Sequence, residues 1–135
     1  MGLCLSCETY QMKAKMKLLI ADDNPEVRSA LRLLLEQEPL QALVLEASDT
    51  RGVLTHLSES CPMAILLDWE LPGLHKNGVL QELRSYCRNV KIIALSSKYE
   101  ARREALATGV DAFVSKTEPA EQILSTLCSL TKTDN

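Results

Sequence analysis

The chain has 135 residues and a formal net charge of −3, with 46% hydrophobic and 24% charged residues. A chain of this size and composition folds into one domain with a single core, which excludes a disordered protein. The slightly acidic balance excludes the broad basic surface of a nucleic-acid-binding protein. We also expect no membrane association, since no apolar stretch reaches membrane-spanning length and no secretory signal pattern is present.

Residues 1–16 are predicted to be a flexible N-terminal extension. Gly2 matches a myristoylation pattern with Cys4 as a second lipid site, and Cys4 and Cys7 have a metal-ligand or redox spacing. Such short matches often arise by accident, so an extension without special chemistry is the favoured interpretation. The five cysteines of the chain are scattered and odd in number, which predicts reduced thiols in a cytoplasmic protein.

Beyond this extension, short apolar runs alternate with segments of helical periodicity. The first run predicts a strand over residues 17–21, and Asn24 and Pro25 then provide a helix cap and a first helical residue. An apolar stripe continues this helix to about Glu38, where Pro39 disfavours a further turn. Further strands are predicted over residues 41–46, 63–67, 90–95 and 111–114, and further helices over 49–58, 78–87, 99–107 and from 119 onwards.

This alternation predicts an α/β domain in which helices cover both faces of a parallel sheet. The domain is expected to span residues 17–130, followed by a tail of residues 131–135. Polar side chains follow four of the strands: Asp22 and Asp23 the first, Asp68 the third, Ser96 the fourth and Lys116 the fifth. Because the carboxyl ends of parallel strands lie along one edge, we expect these groups to share one crevice.

The expected crevice has the composition of a phosphoryl-transfer site. Three carboxylates in one place repel each other unless a cation balances them, and Mg²⁺ prefers such oxygen ligands. A lysine supplies a second positive charge, and a hydroxyl can donate to a phosphoryl oxygen. A carboxylate can itself act as the nucleophile and form an aspartyl phosphate.

Four stretches carry a resemblance to a known family. They are Leu-Leu-Ile-Ala-Asp22-Asp23-Asn, Leu-Leu-Asp68-Trp-Glu-Leu-Pro72-Gly73, Ala-Leu-Ser96-Ser97 and Phe113-Val-Ser-Lys116. In this order, each at the end of a strand, they resemble the receiver domain of bacterial response regulators. The resemblance implies a doubly wound, flavodoxin-like fold: a five-stranded parallel sheet with five helices and strand order 2-1-3-4-5.

The resemblance also implies a role for each site residue. Asp68 resembles the residue that accepts phosphate. Asp22, Asp23 and Asp68 resemble the side-chain ligands of Mg²⁺, and the backbone carbonyl of Glu70 resembles a further ligand. The residues implied to stabilise the phosphoryl group or to change orientation with it are Ser96, Lys116 and Phe113.

The same resemblance implies the setting in which the domain acts. A sensor histidine kinase or a phosphotransfer protein would supply the phosphate, and a downstream output protein or domain would respond. The chain would catalyse only its own phosphoryl transfer and dephosphorylation, so it would not be an enzyme acting on other substrates. The resemblance allows a homodimer on activation, and it implies neither direct nucleic-acid binding nor membrane binding by this chain.

Some positions depart from the family pattern. Thr117 follows Lys116 where many members have a proline after a cis peptide bond, whereas members with helix-turn-helix output domains often carry Ser or Thr there. The connection between Gly73 and Gly78 is slightly long, and its His75 is interpreted as a solvated loop residue rather than a ligand. Glu70 is expected either to influence the loss of phosphate or simply to face solvent.

Two other functions are compatible with parts of this pattern. A degenerate receiver would bind partners without being phosphorylated, but every residue type that the chemistry needs is present. A haloacid-dehalogenase-like phosphatase would also use an aspartate and Mg²⁺. Its nucleophile would follow the first strand with a second aspartate two residues later, whereas here Asp22 and Asp23 are adjacent.

Overall fold

The computed structural model describes residues 16–132 of the chain. The lipidation and CxxC patterns at Gly2, Cys4 and Cys7 lie outside the described residues. The elements in chain order are β1 (Lys17–Ala21), α1 (Pro25–Glu36), β2 (Leu43–Ala47), α2 (Thr50–Glu59), β3 (Ala64–Asp68), α3 (Val79–Tyr86), β4 (Lys91–Ser96), α4 (Ala101–Ala107), β5 (Ala112–Ser115) and α5 (Glu121–Lys132).

The five strands form one sheet in the order β2-β1-β3-β4-β5, and every pair is parallel. The expected fold class is therefore confirmed. Alternate residues of the strands face opposite sides, so Leu18 and Ile20 of β1 pack with α1 and α5, whereas Leu19 and Ala21 pack with α2, α3 and α4. None of the helices within residues 16–132 is long and apolar enough to cross a membrane.

Several element boundaries differ from the predicted ones by one or two residues. Strands β3 and β4 include the polar residues Asp68 and Ser96, because ladder pairing continues to Asp68 opposite Leu95 and to Ser96 opposite Ser115. Apolar runs mark burial, whereas hydrogen-bonded pairing depends on the backbone and includes polar side chains. Helix α1 ends at Glu36, slightly before the predicted end.

A disulfide corrects the expectation of reduced thiols. Cys61 and Cys87 are bonded, with 5.7 Å between their Cα atoms and a sequence separation of 26 residues. Cys61 follows α2 and Cys87 follows α3, and these helices pack side by side on one face of the sheet. The scattered spacing could not show this pairing, because it depends on which helices the topology makes neighbours.

Candidate functional site

Three carboxylates meet at the carboxyl edge of the sheet. Asp22 and Asp23 follow β1, Asp68 ends β3, and these two strands are hydrogen-bonded neighbours. One oxygen from each residue can be chosen so that all three lie within 4.8 Å of one another. Asp22 and Asp68 are buried, whereas Asp23 is exposed at the mouth of the site. The structure thus brings together the predicted acidic residues.

Lys116 connects the two buried carboxylates. Its Nζ donates to Asp22 Oδ2 at 2.8 Å and to Asp68 Oδ1 at 3.3 Å. Lys116 directly follows β5, and its backbone N–H donates to the carbonyl of Ser96 at 2.8 Å. This bond extends the pairing with β4 by one residue and keeps Lys116 at the carboxyl edge of the sheet. Burial lowers the pKa of Lys116, but the carboxylates of Asp22 and Asp68 more than offset this effect and raise it above the usual value.

The pKa of Asp68 is raised above its ordinary value of 3.8, mainly because burial disfavours its charged form. The nearby carboxylate of Asp22 raises it further, whereas the backbone N–H of Glu70 and the side chain of Lys116 oppose the shift. The Glu70 N–H donates to Asp68 Oδ1 at 3.1 Å. Asp68 is therefore a carboxylate whose negative charge is only partly compensated.

Ser96 lies at the end of β4, fully buried, and its hydroxyl is already hydrogen-bonded. It donates to the carboxylate of Glu70, at 3.0 Å to Oε2 and 3.2 Å to Oε1, and it accepts from the backbone N–H of Lys98 at 3.0 Å. Glu70 is an exposed residue, and its carboxylate nevertheless reaches the buried Ser96 hydroxyl, so a solvent-facing side chain and one in contact with the site are both realised. The effect of Glu70 on phosphate loss stays a prediction.

Trp69 links the acidic edge to α4, a connection that the sequence did not reveal. It directly follows Asp68 and is buried, and its indole Nε1 donates to Glu104 Oε1 at 3.4 Å. The ring of His75 packs edge-on against the Trp69 ring at 4.9 Å, and its Nε2 is hydrogen-bonded to the Trp69 carbonyl. His75 thus packs on Trp69 and lies outside the acidic group.

The remaining predicted residues lie beside the site. Phe113 is buried within β5, in the same apolar cluster as Trp69 and Ala105. The hydroxyl of Thr117 is hydrogen-bonded to that of Ser115 at 2.7 Å, which fixes the turn after β5. Within the described residues the cis peptide bond is Glu38–Pro39, so the bond before Thr117 is trans.

The donor set fits a hard divalent cation. Three carboxylates supply oxygen ligands, and among residues 16–132 Lys116 is the cation paired with them, which leaves two of their negative charges unbalanced. Mg²⁺ is held by a few carboxylates and several waters, and the exposure of Asp23 leaves one side of the group open to water. The residues are therefore suited to holding a metal ion.

The fold and the acidic edge place this chain in a class of proteins, the α/β domains with flavodoxin-like topology. The sequence model of the response regulator receiver domain matches residues 18–128. The chain belongs to the response regulator receiver domain family. Receiver domains act as phosphorylation-controlled switches in two-component signalling.

Individual relatives agree with this assignment. The Fimbriae Z protein of Salmonella typhimurium is 32% identical over 108 residues, which are 78% of this chain and 51% of that protein. The PhoB protein of Escherichia coli is 31% identical over 104 residues, which are 74% of this chain and 44% of that protein. The chain thus spans about half the length of the curated relatives it matches.

A solved structure shows the same fold. The receiver domain of the Francisella response regulator 1452 superposes with a TM-score of 0.77 at 24% identity, covering 90% of this chain and all of that one.

Proposed function

We propose that this domain accepts a phosphoryl group on Asp68 from a histidine kinase and signals through the resulting change in charge. The observation that carries the proposal is the environment of Asp68. Its buried carboxylate belongs to the acidic group and is in contact with Lys116 Nζ at 3.3 Å. A carboxylate with a raised pKa and a nearby fixed cation is suited to forming an aspartyl phosphate.

Mg²⁺ is the proposed cofactor, held by Asp22, Asp23 and Asp68 and by the backbone carbonyl of Glu70. When bound, it would neutralise charge on the phosphoryl oxygens. The response regulator TrrA of Thermotoga maritima, solved in complex with Mg²⁺-BeF, supports this choice of ion; it superposes with a TM-score of 0.74 at 23% identity, covering 85% of this chain and 98% of that one. The open side of the group at Asp23 leaves room for the waters that Mg²⁺ retains.

The chain's own residues supply the rest of the chemistry. A carboxylate oxygen of Asp68 attacks the phosphorus of a phosphohistidine, the P–N bond breaks, and the imidazole leaves with the bonding electrons. Lys116 then balances charge on the new phosphoryl group. The Ser96 hydroxyl exchanges its hydrogen bond with Glu70 for one with a phosphoryl oxygen, which removes a contact between the loop after β3 and the end of β4.

Residues that pack next to the site transmit the change to the surface of the domain. Movement of Ser96 frees space near β5, where Phe113 changes its orientation. The hydrogen bond between Trp69 and Glu104 gives the site a direct connection to α4. A rearranged surface of α4, β5 and α5 is then presented to the partner.

The proposal also covers partners and location. The phosphate donor is a sensor histidine kinase or a phosphotransfer protein, and the target is an output protein or an output domain, of the helix-turn-helix type by resemblance. The activated domain forms a homodimer, and it acts on no substrate other than its own phosphoryl group. A cytoplasmic location is part of the proposal. The cytoplasm is a reducing compartment, so the disulfide between Cys61 and Cys87 would there be subject to reduction.

The test is the intact mass of the protein after incubation with Mg²⁺ and acetyl phosphate. The wild type should gain about one phosphoryl group, and Asp68→Asn should gain none, because its amide is not nucleophilic. Asp23→Asn retains the nucleophile but loses a metal ligand, so its uptake should be slower. Stoichiometric uptake by Asp68→Asn would contradict the proposed site, and no uptake by the wild type would favour a degenerate receiver.

A further inference from the structure

Arg28 of α1 contacts the backbone of Asp22, one of the three residues of the acidic group. Its Nη1 donates to the backbone carbonyl of Asp22 at 2.8 Å, and its Nε donates to Glu46 Oε1 at 2.8 Å. We propose that Arg28 is a positioning residue for the metal site, which acts by fixing the backbone of Asp22 and thereby the carboxylates of Asp22 and Asp23. This inference rests on the Mg²⁺ site of the proposed function.

The contacts of Asp22 show why its carbonyl matters. Its backbone N–H donates to the carbonyl of Ala47 at 3.0 Å. Its carboxylate accepts from the backbone N–H of Asn24 at 2.9 Å and from Lys116 Nζ at 2.8 Å. Arg28 satisfies the carbonyl, so the polar groups of this buried residue are held from β2, α1 and β5 together. A buried carbonyl without a donor would turn toward water and carry the carboxylate with it.

Glu46 holds the guanidinium of Arg28 in place. It lies on β2, and its two oxygens accept from Arg28 Nε at 2.8 Å and from Arg32 Nε at 2.6 Å. The side chain of Arg28 is 19% exposed, so its charge is poorly hydrated and depends on this carboxylate. Only a planar guanidinium can serve two acceptors on different elements with fixed geometry, so lysine would not be equivalent.

Arg32 provides a matched control within the same cluster. It binds the same carboxylate as Arg28, but its other donors go to Glu36 Oε2 at 2.6 Å and to the Val44 carbonyl at 3.1 Å. Arg32 lies one turn further along α1 than Arg28, and neither of these acceptors belongs to the acidic edge. Loss of Arg32 therefore removes an ion pair to Glu46 and leaves the support of Asp22 in place.

The experiment compares divalent-cation affinity with stability in three variants. Free Mn²⁺ is counted from its electron paramagnetic resonance signal during titration, and Mg²⁺ then displaces the bound ion, since both ions prefer oxygen ligands. Arg28→Gln should weaken binding on the order of tenfold, as loss of a group that orients a metal ligand typically does. Arg32→Gln should change the affinity for the cation less than twofold. Both variants should unfold at lower urea concentrations than the wild type.

Arg28→Lys is the third variant, in case Arg28→Gln does not fold. It keeps a positive charge beside Glu46 but cannot span both acceptors, so it should bind the cation several-fold more weakly, with a smaller loss of stability than Arg28→Gln. The inference is overturned if both variants of Arg28 bind as tightly as the wild type. It is also overturned if Arg32→Gln weakens binding as much as Arg28→Gln, because support of the fold alone would then explain both. A wild type that binds neither ion would instead refute the metal site itself.

Discussion

Glu46 shows how one side chain links folding to pH. It accepts from Arg28 and Arg32, and its side chain is 29% exposed. Its pKa lies below the ordinary value of 4.5, mainly because of the hydrogen bond from Arg32. In the unfolded chain this carboxyl titrates near its ordinary value, so the folded state favours the charged form.

Glu46→Gln should therefore remove a pH-dependent part of the stability. The contribution of Glu46 is fully present above pH 4.5 and is lost as the pH falls from there through the lower pKa of the folded state. At pH 7 the variant should be less stable by on the order of 1 kcal/mol, which is typical of ion pairs that remain partly exposed. The free energy of unfolding in urea, measured from pH 7 to pH 3, tests this.

Glu59→Gln, at an exposed position at the end of α2, is the control and should follow the wild type across this range. The difference in the free energy of unfolding between the wild type and Glu46→Gln should shrink as the pH falls. A difference that stayed constant from pH 7 to pH 3 would show that the ion pairs with Arg28 and Arg32 do not stabilise the fold.

At the scale of elements, the turn after β3 depends on close contact with the start of α2. Gly73 has a φ of +89°, and a Cβ there would lie 2.5 Å from Thr50 Oγ1. The backbone N–H of Thr50 also donates to the carbonyl of Pro72 at 3.3 Å. Gly78 has a similar φ of +81° in the same connection, but a Cβ there would meet nothing within 4 Å.

Gly73→Ala and Gly78→Ala should therefore differ in their effect on stability. Both place a side chain in the left-handed region, at a cost of about 1 kcal/mol. Gly73→Ala adds a clash with Thr50 and should lose about 1–3 kcal/mol more, as overpacking does. Thermal and urea unfolding of the two variants measure the difference.

A second substitution isolates the contact. Thr50→Ala removes the Oγ1 atom against which the new methyl group would press. The double variant Thr50→Ala/Gly73→Ala should therefore recover most of the additional loss. If Gly73→Ala and Gly78→Ala were equally stable, the close approach between this turn and α2 would be absent in solution.

At the scale of the whole molecule, Lys116 joins three strands. It extends from the end of β5 and binds Asp22 after β1 and Asp68 at the end of β3. The two carboxylates would otherwise repel each other in a buried position. The ammonium group of Lys116 thus holds the carboxyl ends of β1, β3 and β5 together.

Lys116→Met should destabilise the protein by about 1–3 kcal/mol in EDTA, because it leaves buried carboxylates without their partner. Mg²⁺ should restore part of this loss, since an ion that binds only the folded state raises its stability. Lys98→Met removes an exposed charge from the neighbouring loop and should change stability by less than about 0.5 kcal/mol. Urea unfolding of Lys116→Met that matches the wild type in EDTA would contradict this account.

Local chemistry made much of the fold predictable from the sequence. The helix cap at Asn24 is confirmed, with its Oδ1 accepting from the Glu26 N–H. Apolar runs located all five strands to within one or two residues, because burial on both faces requires continuous apolar segments. Because all five strands are parallel, the polar residues at their carboxyl ends, Asp22, Asp68, Ser96 and Lys116, lie along one edge of the sheet.

What the sequence alone determined is thus the order of the elements, the parallel sheet and the set of polar residues at its carboxyl edge. Only the tertiary structure decided which of these groups touch: Lys116 with both buried carboxylates, Ser96 with Glu70, and Arg28 with the carbonyl of Asp22. The physical reason is that caps and periodicity act between near neighbours in the chain. Contacts between side chains from different elements depend instead on loop paths and helix packing, which no local pattern records.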